Sequence, residues 1–239
     1  ELKKYLITEQ KWIHWQLRVN GPKKLIINKT KFIYLISPNT IRKSFYYDLK
    51  GVLKSKKISF FQLRLKNTSF KRKLIIGKKV KKICKKFKTK FLINDDVLLA
   101  KKLNSDGCHL GQKDMEITKA RKILNKKIIG VTCHNSIKLA KLAIKNKADY
   151  IAFGAFNISK TKKTKYKASV GLIKKIKKIT KTPIVAIGGI NSDNYKNLLL
   201  NKANFLAISG YIWNNKKLKP TEAVKKLTWK LMLVKLESV

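Results

Sequence analysis

The sequence predicts an α/β chain folded as a single (β/α)8 barrel, the TIM arrangement, preceded by a short N-terminal extension. Three observations carry this: eight short apolar runs rich in Ile, Phe and Val, charged stretches of helical pattern between them, and a length of 239 residues, which suits one such barrel. Runs this continuously apolar imply strands buried on both faces, as in a parallel sheet. Parallel neighbours need crossover connections, and the intervening helices supply them. A doubly wound open sheet is the alternative, because hydrophobic periodicity carries no information on closure.

Taken in order, residues 1–30 form the extension and residues 31–239 the barrel. The extension holds two Trp, a Gly-Pro turn and a short apolar start, and is expected as an extra helix or strand across the barrel's bottom. His14 within it has no neighbour at metal-ligand spacing and reads as a surface or interface residue. The first strand is expected in "KFIYLIS" (31–37) and the second in "ISFFQLRLK" (58–66). After it Ile76, Val80, Ile83, Cys84 and Phe87 recur at three- and four-residue steps, the pattern of one helix face. "KFLIND" (90–95) gives the third strand, followed by the helix "DVLLAKKL". Asp95 or Asp96 could cap that helix; Asp96 is read as the cap and Asp95 as a ligand. "GCHLG" (107–111) follows the turn "NSDG", where Asp106 before Gly reads as a conformational choice. "KIIGVTCH" (127–134) and "DYIAFGAF" (149–156) are the fifth and sixth strands. Ile173, Ile176 and Ile179 mark a further helix face, and "PIVAIGGI" (183–190) and "NFLAISGYIW" (204–213) complete the eight.

Lys and Arg number 58 against 12 Asp and Glu, a formal charge of +46. Such a surplus fits a polyanion, either nucleic acid or an acidic membrane surface. Yet only five of these bases are Arg (Arg18, Arg42, Arg64, Arg72 and Arg121), the lysines are spread over the whole length, and no known nucleic-acid module occurs. The pattern reads as compositional drift at tolerant surface positions, so no specific nucleic-acid partner is expected. Where Arg or an acid persists against this bias, a particular geometry or charge has a claim on it. Residues 91–114 hold four of the twelve acids, Asp95, Asp96, Asp106 and Asp114. Cys84, Cys108 and Cys133 show no C-x-x-C spacing and sit in apolar stretches, which predicts buried reduced thiols. No apolar run reaches membrane-spanning length and no clean secretory segment is present, so a cytoplasmic protein with no membrane partner is expected.

In a barrel of this kind, chemistry lies at the C-terminal ends of the strands. That filter selects Gln62, Arg64 and Lys66; Asn94 and Asp95; Asp114; Thr132 and His134; the loop "GAFNISKTKK"; Gly188 and Gly189; and Ser209. Asn94, Asp95 and Asp114 offer hard oxygen donors, too few for a calcium cage but suited to Mg²⁺ completed by water and phosphate oxygens. Ser159, Thr161 and Lys162 suit phosphate. So does "AIGGINSDN", whose glycines let backbone N–H groups approach a ligand, with Ser192 and Asn194 near a helix start. Two phosphate sites and a Mg²⁺ site suggest a transferase joining two phosphorylated substrates.

Residues 31–213 resemble the thiamine phosphate synthase family. "QLRLK" is similar to its Q-x-R-x-K, "IND" to its N-D pair, "HLGQKD" to H-x-G-Q-x-D, "GVTCH" to G-V-S-x-H, and "SKTKK" to T-x-T-K. "AIGGI" resembles its glycine pair and "AIS" its closing phosphate loop. The resemblance implies coupling of 4-amino-2-methyl-5-hydroxymethylpyrimidine diphosphate with 4-methyl-5-hydroxyethylthiazole phosphate. The diphosphate leaves early and the thiazole nitrogen captures a pyrimidine carbocation. Arg64, Lys66 and Lys162 would stabilise the departing pyrophosphate and Asp95 and Asp114 would hold Mg²⁺. Gln62, Arg64, Lys66, Asn94, Thr132 and Lys162 would contact the pyrimidine diphosphate, and Ser159, Thr161, Gly189, Ile208 and Ser209 the thiazole phosphate. The partners implied are two phosphorylated small molecules, and a homo-oligomer is left open. Thr132 replaces the family's usual Ser, Ser159 its Thr and Ala155 its Pro. Leu65 replaces a Glu, which is expected to remove a charge near the diphosphate. A thiazole tautomerase-like or non-catalytic relative is the alternative. His134 suits both readings, whereas Asp95 and Asp114 with Ser159, Thr161 and Lys162 favour the synthase.

Overall fold

The computed structural model describes residues 32–158 and 165–236; the expected extension lies outside them. Eight parallel strands close in chain order into a barrel: β1 (Ile33–Ile36), β2 (Ile58–Leu63), β3 (Lys90–Asn94), β4 (Gly107–Leu110), β5 (Ile128–Thr132), β6 (Tyr150–Gly154), β7 (Ile184–Ile187) and β8 (Phe205–Ile208). Between and after them run α1 (Phe45–Lys54), α2 (Phe70–Lys86), α3 (Val97–Lys102), α4 (Ile117–Leu124), α5 (Ile137–Lys145), α6 (Val170–Lys177), α7 (Lys196–Leu200), α8 (Gly210–Trp213) and α9 (Pro220–Leu236). Pairing of β1 with β8 closes the ring and removes the open-sheet alternative.

Alternation along each strand sorts the apolar residues into two cores. Tyr34, Ile36, Phe60, Leu92, Tyr150, Ala152, Val185, Phe205 and Ala207 fill the barrel interior. Their odd-phase neighbours, such as Leu35, Phe61, Ile93, Val131 and Phe153, pack outward against the helices. In α2, Ser69 caps the N-terminus by accepting from the Arg72 N–H, and Ile76, Val80 and Cys84 form the buried stripe. Each such burial is worth about 1.5–3 kcal/mol, so a charge at Val80 would lift the helix off the barrel. The expected stripe of α6 is shorter than its pattern. The helix stops at Lys177, the N–H groups of Ile179 and Thr180 both return to the Ile176 carbonyl as the chain turns toward β7, and Ile179 is 54% exposed.

A repeated device ties the bottom of the barrel. Asp106, Asp149 and Asn204 immediately precede β4, β6 and β8. Each donates its N–H to a carbonyl near the start of the preceding strand (Phe91, Ile129 and Ile184) and accepts the same residue's N–H on its side-chain oxygen, at 2.8–2.9 Å. A cation completes each clamp: Lys90 on Asp106, Arg121 on Asp149 and Lys177 on Asn204. Asp106 is therefore a tie between β3 and β4, and not only a turn-former. Arg121 also donates to the carbonyls of Asn125, Lys127 and Lys147, a four-acceptor task for a planar fork.

Cys84, Cys108 and Cys133 are buried free thiols, as expected, and burial pushes each thiol well up, Cys133 to about 12. Among the described residues no helix is long and apolar enough to cross a membrane.

Candidate active site

The alternation that fills the interior also decides what reaches the barrel mouth. Phe60 points inward, and two residues further the same phase presents Gln62, then Arg64 and Lys66 beyond the strand end. Leu92 leads likewise to Asn94, and Gly130 to Thr132. Leu65 falls on the opposite phase and is buried in the helix-facing core. Its replacement of a Glu therefore takes no charge from the mouth, contrary to the sequence expectation.

Of the two neighbouring acids, Asp96 takes the cap, as expected. Asp96 caps α3 by accepting from the Leu99 N–H at 2.9 Å. Asp95 sits in the left-handed region at φ 65°, which Asp tolerates better than most residues, and its N–H still bonds the His109 carbonyl at 2.8 Å. Its carboxylate accepts from Lys66 Nζ at 3.1 Å, and the neighbouring Asp114 carboxyl, when protonated, can donate to it. Asp114 is held from the other side by the Gly111 N–H at 2.6 Å. Burial works to raise both acids. At Asp95 the bond from Asp114 and the Lys66 ammonium outweigh it and the pKa falls; at Asp114 the charge of Asp95 adds to burial and the pKa rises.

Two neighbouring carboxylates whose pKa values are pushed apart are a donor set that a divalent cation can satisfy by displacing a proton. Among the described residues no cluster of three or more His, Cys, Asp or Glu occurs, so a cation here would complete its shell with substrate and water oxygens. Asn94 accepts from Gln62 Nε2 at 2.5 Å, which leaves its amide NH₂ to meet a ligand. Arg64 is braced by Asn39, which accepts from its guanidinium at 2.6 Å, and by Ser37, whose hydroxyl accepts the Arg64 N–H at 2.9 Å. Partial burial lowers the Arg64 pKa and the nearby Asp95 charge opposes that.

The glycine pair has a packing task besides the ligand approach expected of it. Gly188 and Gly189 have positive φ, 104° and 60°. A Cβ at Gly188 would lie 2.3 Å from the Ala155 Cβ, and one at Gly189 2.3 Å from the Ile158 carbonyl oxygen. The room they vacate is filled by the start of the loop after β6, whose Phe156 and Asn157 N–H groups bond the Ile187 and Gly188 carbonyls. Asn194 rivets this turn by donating to the Gly189 carbonyl, while Ser192 donates to Asp193. His134, at φ 51°, stacks on Tyr166 at the far end of that loop, ring centroids 4.1 Å apart. Ser159, Thr161 and Lys162 lie outside the described residues. Ile208 turns its side chain into the outer core, so only its backbone can meet a ligand, and the Ser209 hydroxyl donates to the Ser37 carbonyl at 3.2 Å.

Sequence reasoning missed Ser37 and Asn39, and quoted His109 within a motif without giving it a role. Ser37 and Asn39 follow β1 and would have emerged from the strand-end filter had it been applied to that strand. His109 lies mid-strand and donates or accepts at Thr132 Oγ1 over 2.8 Å.

A family model described as "Thiamine monophosphate synthase" matches residues 33–212. A curated thiamine-phosphate synthase of Pelagibacter ubique (strain HTCC1062) is 73% identical over 202 residues, covering 84% of this chain and 97% of that protein. Another, of Erythrobacter litoralis (strain HTCC2594), is 37% identical over 187 residues, with 76% and 88% covered. Among solved structures, thiamine phosphate pyrophosphorylase from Pyrococcus furiosus superposes with a TM-score of 0.77 at 27% identity, covering 87% of this chain and 98% of that one.

Proposed function

This chain belongs to the thiamine monophosphate synthase family, and from that premise we infer how it acts. It is a transferase with thiamine-phosphate synthase activity. It joins 4-amino-2-methyl-5-hydroxymethylpyrimidine diphosphate to 4-methyl-5-hydroxyethylthiazole phosphate, and the products are thiamine phosphate and pyrophosphate.

The observation that carries the site-level reading is the pair of neighbouring carboxylates Asp95 and Asp114, held by Lys66 and by the Gly111 N–H and set beside Arg64 at one side of the mouth. In this reading the pair holds Mg²⁺, which when bound neutralises charge on the diphosphate. Arg64, Lys66 and Lys162 bind the diphosphate oxygens and stabilise the charge that grows as the C–O bond breaks. Gln62, Asn94 and Thr132 orient the pyrimidine from inward-facing strand positions. Ser159, Thr161, the backbone at Gly189 and Ile208, and Ser209 hold the thiazole phosphate, so that its ring nitrogen faces the carbon losing diphosphate. The apolar layer beneath, led by Ile36, Leu92, Ala152 and Ile187, keeps water from capturing the cation first. Three buried thiols suit a reducing compartment, and a cytoplasmic location is part of this proposal.

A coupled assay with both phosphorylated substrates, with and without Mg²⁺, tests it. Metal-dependent release of pyrophosphate together with thiamine phosphate is expected. Folded protein that binds thiazole phosphate without Mg²⁺ and makes no product would replace this reading with the tautomerase-like one.

A further inference from the structure

Beneath Thr132 runs a line of polar groups that the reaction as described does not use. The Tyr34 and Tyr150 hydroxyls are 2.7 Å apart, the Tyr150 hydroxyl is 2.8 Å from His109 Nδ1, and His109 Nε2 is 2.8 Å from Thr132 Oγ1. Tyr34 and Tyr150 are fully buried among Phe60, Phe205 and other interior residues, and the His109 ring lies nearly parallel to that of Tyr150. Gly130 makes the line possible, since a Cβ there would stand 1.8 Å from the Tyr150 ring.

Hydrogen counting sets the direction of this chain. Phenols keep their protons at neutral pH, and a doubly protonated ring would donate from Nδ1 into Tyr150 and drive a surplus hydrogen to Tyr34; with a single ring N–H, four hydrogens serve three bonds. One hydrogen is surplus. If the chain ran inward from Thr132, the surplus would be the Tyr34 O–H, whose one hydrogen-bond partner among the described residues is Tyr150, in an apolar interior where an unmatched donor is costly. If it runs outward, Tyr34 donates to Tyr150, Tyr150 donates to Nδ1, and Nε2–H donates to Thr132. The surplus hydrogen is then the Thr132 hydroxyl's own, at the mouth.

We propose that Tyr150, backed by Tyr34, is a positioning residue that fixes His109 as the Nε2–H tautomer, so that Thr132 meets an acceptor atom of the pyrimidine diphosphate as a hydrogen-bond donor. This rests on the reading that Thr132 faces that substrate. The direction of the chain is a property of the protein alone and can be read without substrate.

The test uses the full chain and two variants, Tyr150→Phe and the double variant Tyr34→Phe/Tyr150→Phe, which leaves no orphan hydroxyl inside the barrel and keeps the aromatic volume. Long-range proton–nitrogen correlation of the ring nitrogens, assigned with a His109→Gln control, should show bare Nδ1 and protonated Nε2 in the unaltered protein and a mixture of tautomers in the double variant. In the coupling assay, KM for the pyrimidine diphosphate should rise about tenfold, the worth of one directed hydrogen bond, while kcat and the KM for thiazole phosphate stay put. A protonated Nδ1 in the unaltered protein, or a double variant that keeps both its single tautomer and its KM, overturns the inference. Absence of coupling in the unaltered protein would overturn the function reading instead, while the tautomer would still decide the direction of the chain.

Discussion

Replacing Asp114 by Asn should make the metal-free protein more stable and the Mg²⁺-supplied protein less so. The Asn amide reproduces the protonated form of Asp114: its oxygen can accept the Gly111 N–H, as Asp114 does, and its NH₂ can donate to Asp95 as a protonated Asp114 would. Because the folded-state pKa of Asp114 is raised, the folded protein holds more protons than the unfolded chain in the window above the ordinary Asp value. Stability therefore rises as pH falls through that window, and the charged pair weakens folding above it. Two unit charges in contact as near neighbours, at an effective dielectric of about 20, repel by about 4 kcal/mol. Solvent at the half-exposed mouth and Lys66, 3.1 Å from Asp95, screen this to about 1 kcal/mol. For a chain of this size that is about 2–4 °C in Tm. With Mg²⁺ at a hundred times its Kd, the unaltered protein gains about 2.7 kcal/mol that the variant forgoes, so the order of stabilities reverses. Thermal unfolding near neutral pH and near pH 4, each with and without Mg²⁺, measures all four terms, and the metal-free advantage should vanish at the lower pH. An Asp114→Asn protein that kept the full Mg²⁺-induced rise in Tm would refute the assignment of the pair as metal ligands.

Three further outcomes follow from the geometry. Gly130→Ala forces a methyl into the Tyr150 ring and should cost about 1–3 kcal/mol in urea unfolding; an unchanged midpoint would show that the interior yields more than its packing suggests. Arg121→Lys leaves most of four acceptors unmatched at the barrel bottom and should cost about 2 kcal/mol without altering KM for either substrate, so a KM change would contradict the separation of clamp from mouth. Arg64→Lys keeps the charge but not the fork braced by Asn39, and steady-state kinetics should show a KM for the pyrimidine diphosphate raised about tenfold with the unfolding midpoint unmoved.

All eight strands were legible because burial on both faces writes each as an apolar run, whereas closure depends on the β1–β8 pairing, which leaves no periodic trace. The persistence of acids in a lysine-saturated chain led to the Asp96 cap and to Asp95 at the barrel mouth, but the same signal at Asp106, Asp149 and Arg121 marks the opposite end of the barrel. Retention against the bias flags a geometric demand, and only position along the strand tells which demand it is. Leu65 misled because a replacement reads as a lost charge until the two-residue period shows which way the side chain points. The line from Tyr34 to Thr132 was invisible for another reason. Its members lie up to 116 residues apart and meet only across the interior of a closed ring.

The clamps at the barrel bottom bear on how the ring is joined. They lock β3 to β4, β5 to β6 and β7 to β8, each by two reciprocal backbone-directed bonds and a cation. Among the described residues no such tie joins β1 to β2, and that pair carries a register shift, between Ile33 and Tyr34. Of the eight seams of the ring three are clamped in this way, and among the five that are not, β1–β2 is the one whose pairing slips in register. That seam runs up the wall to Ser37, Asn39 and Arg64, so the irregular pairing at the bottom of the cylinder leads at the top to the guanidinium that is to grip the diphosphate.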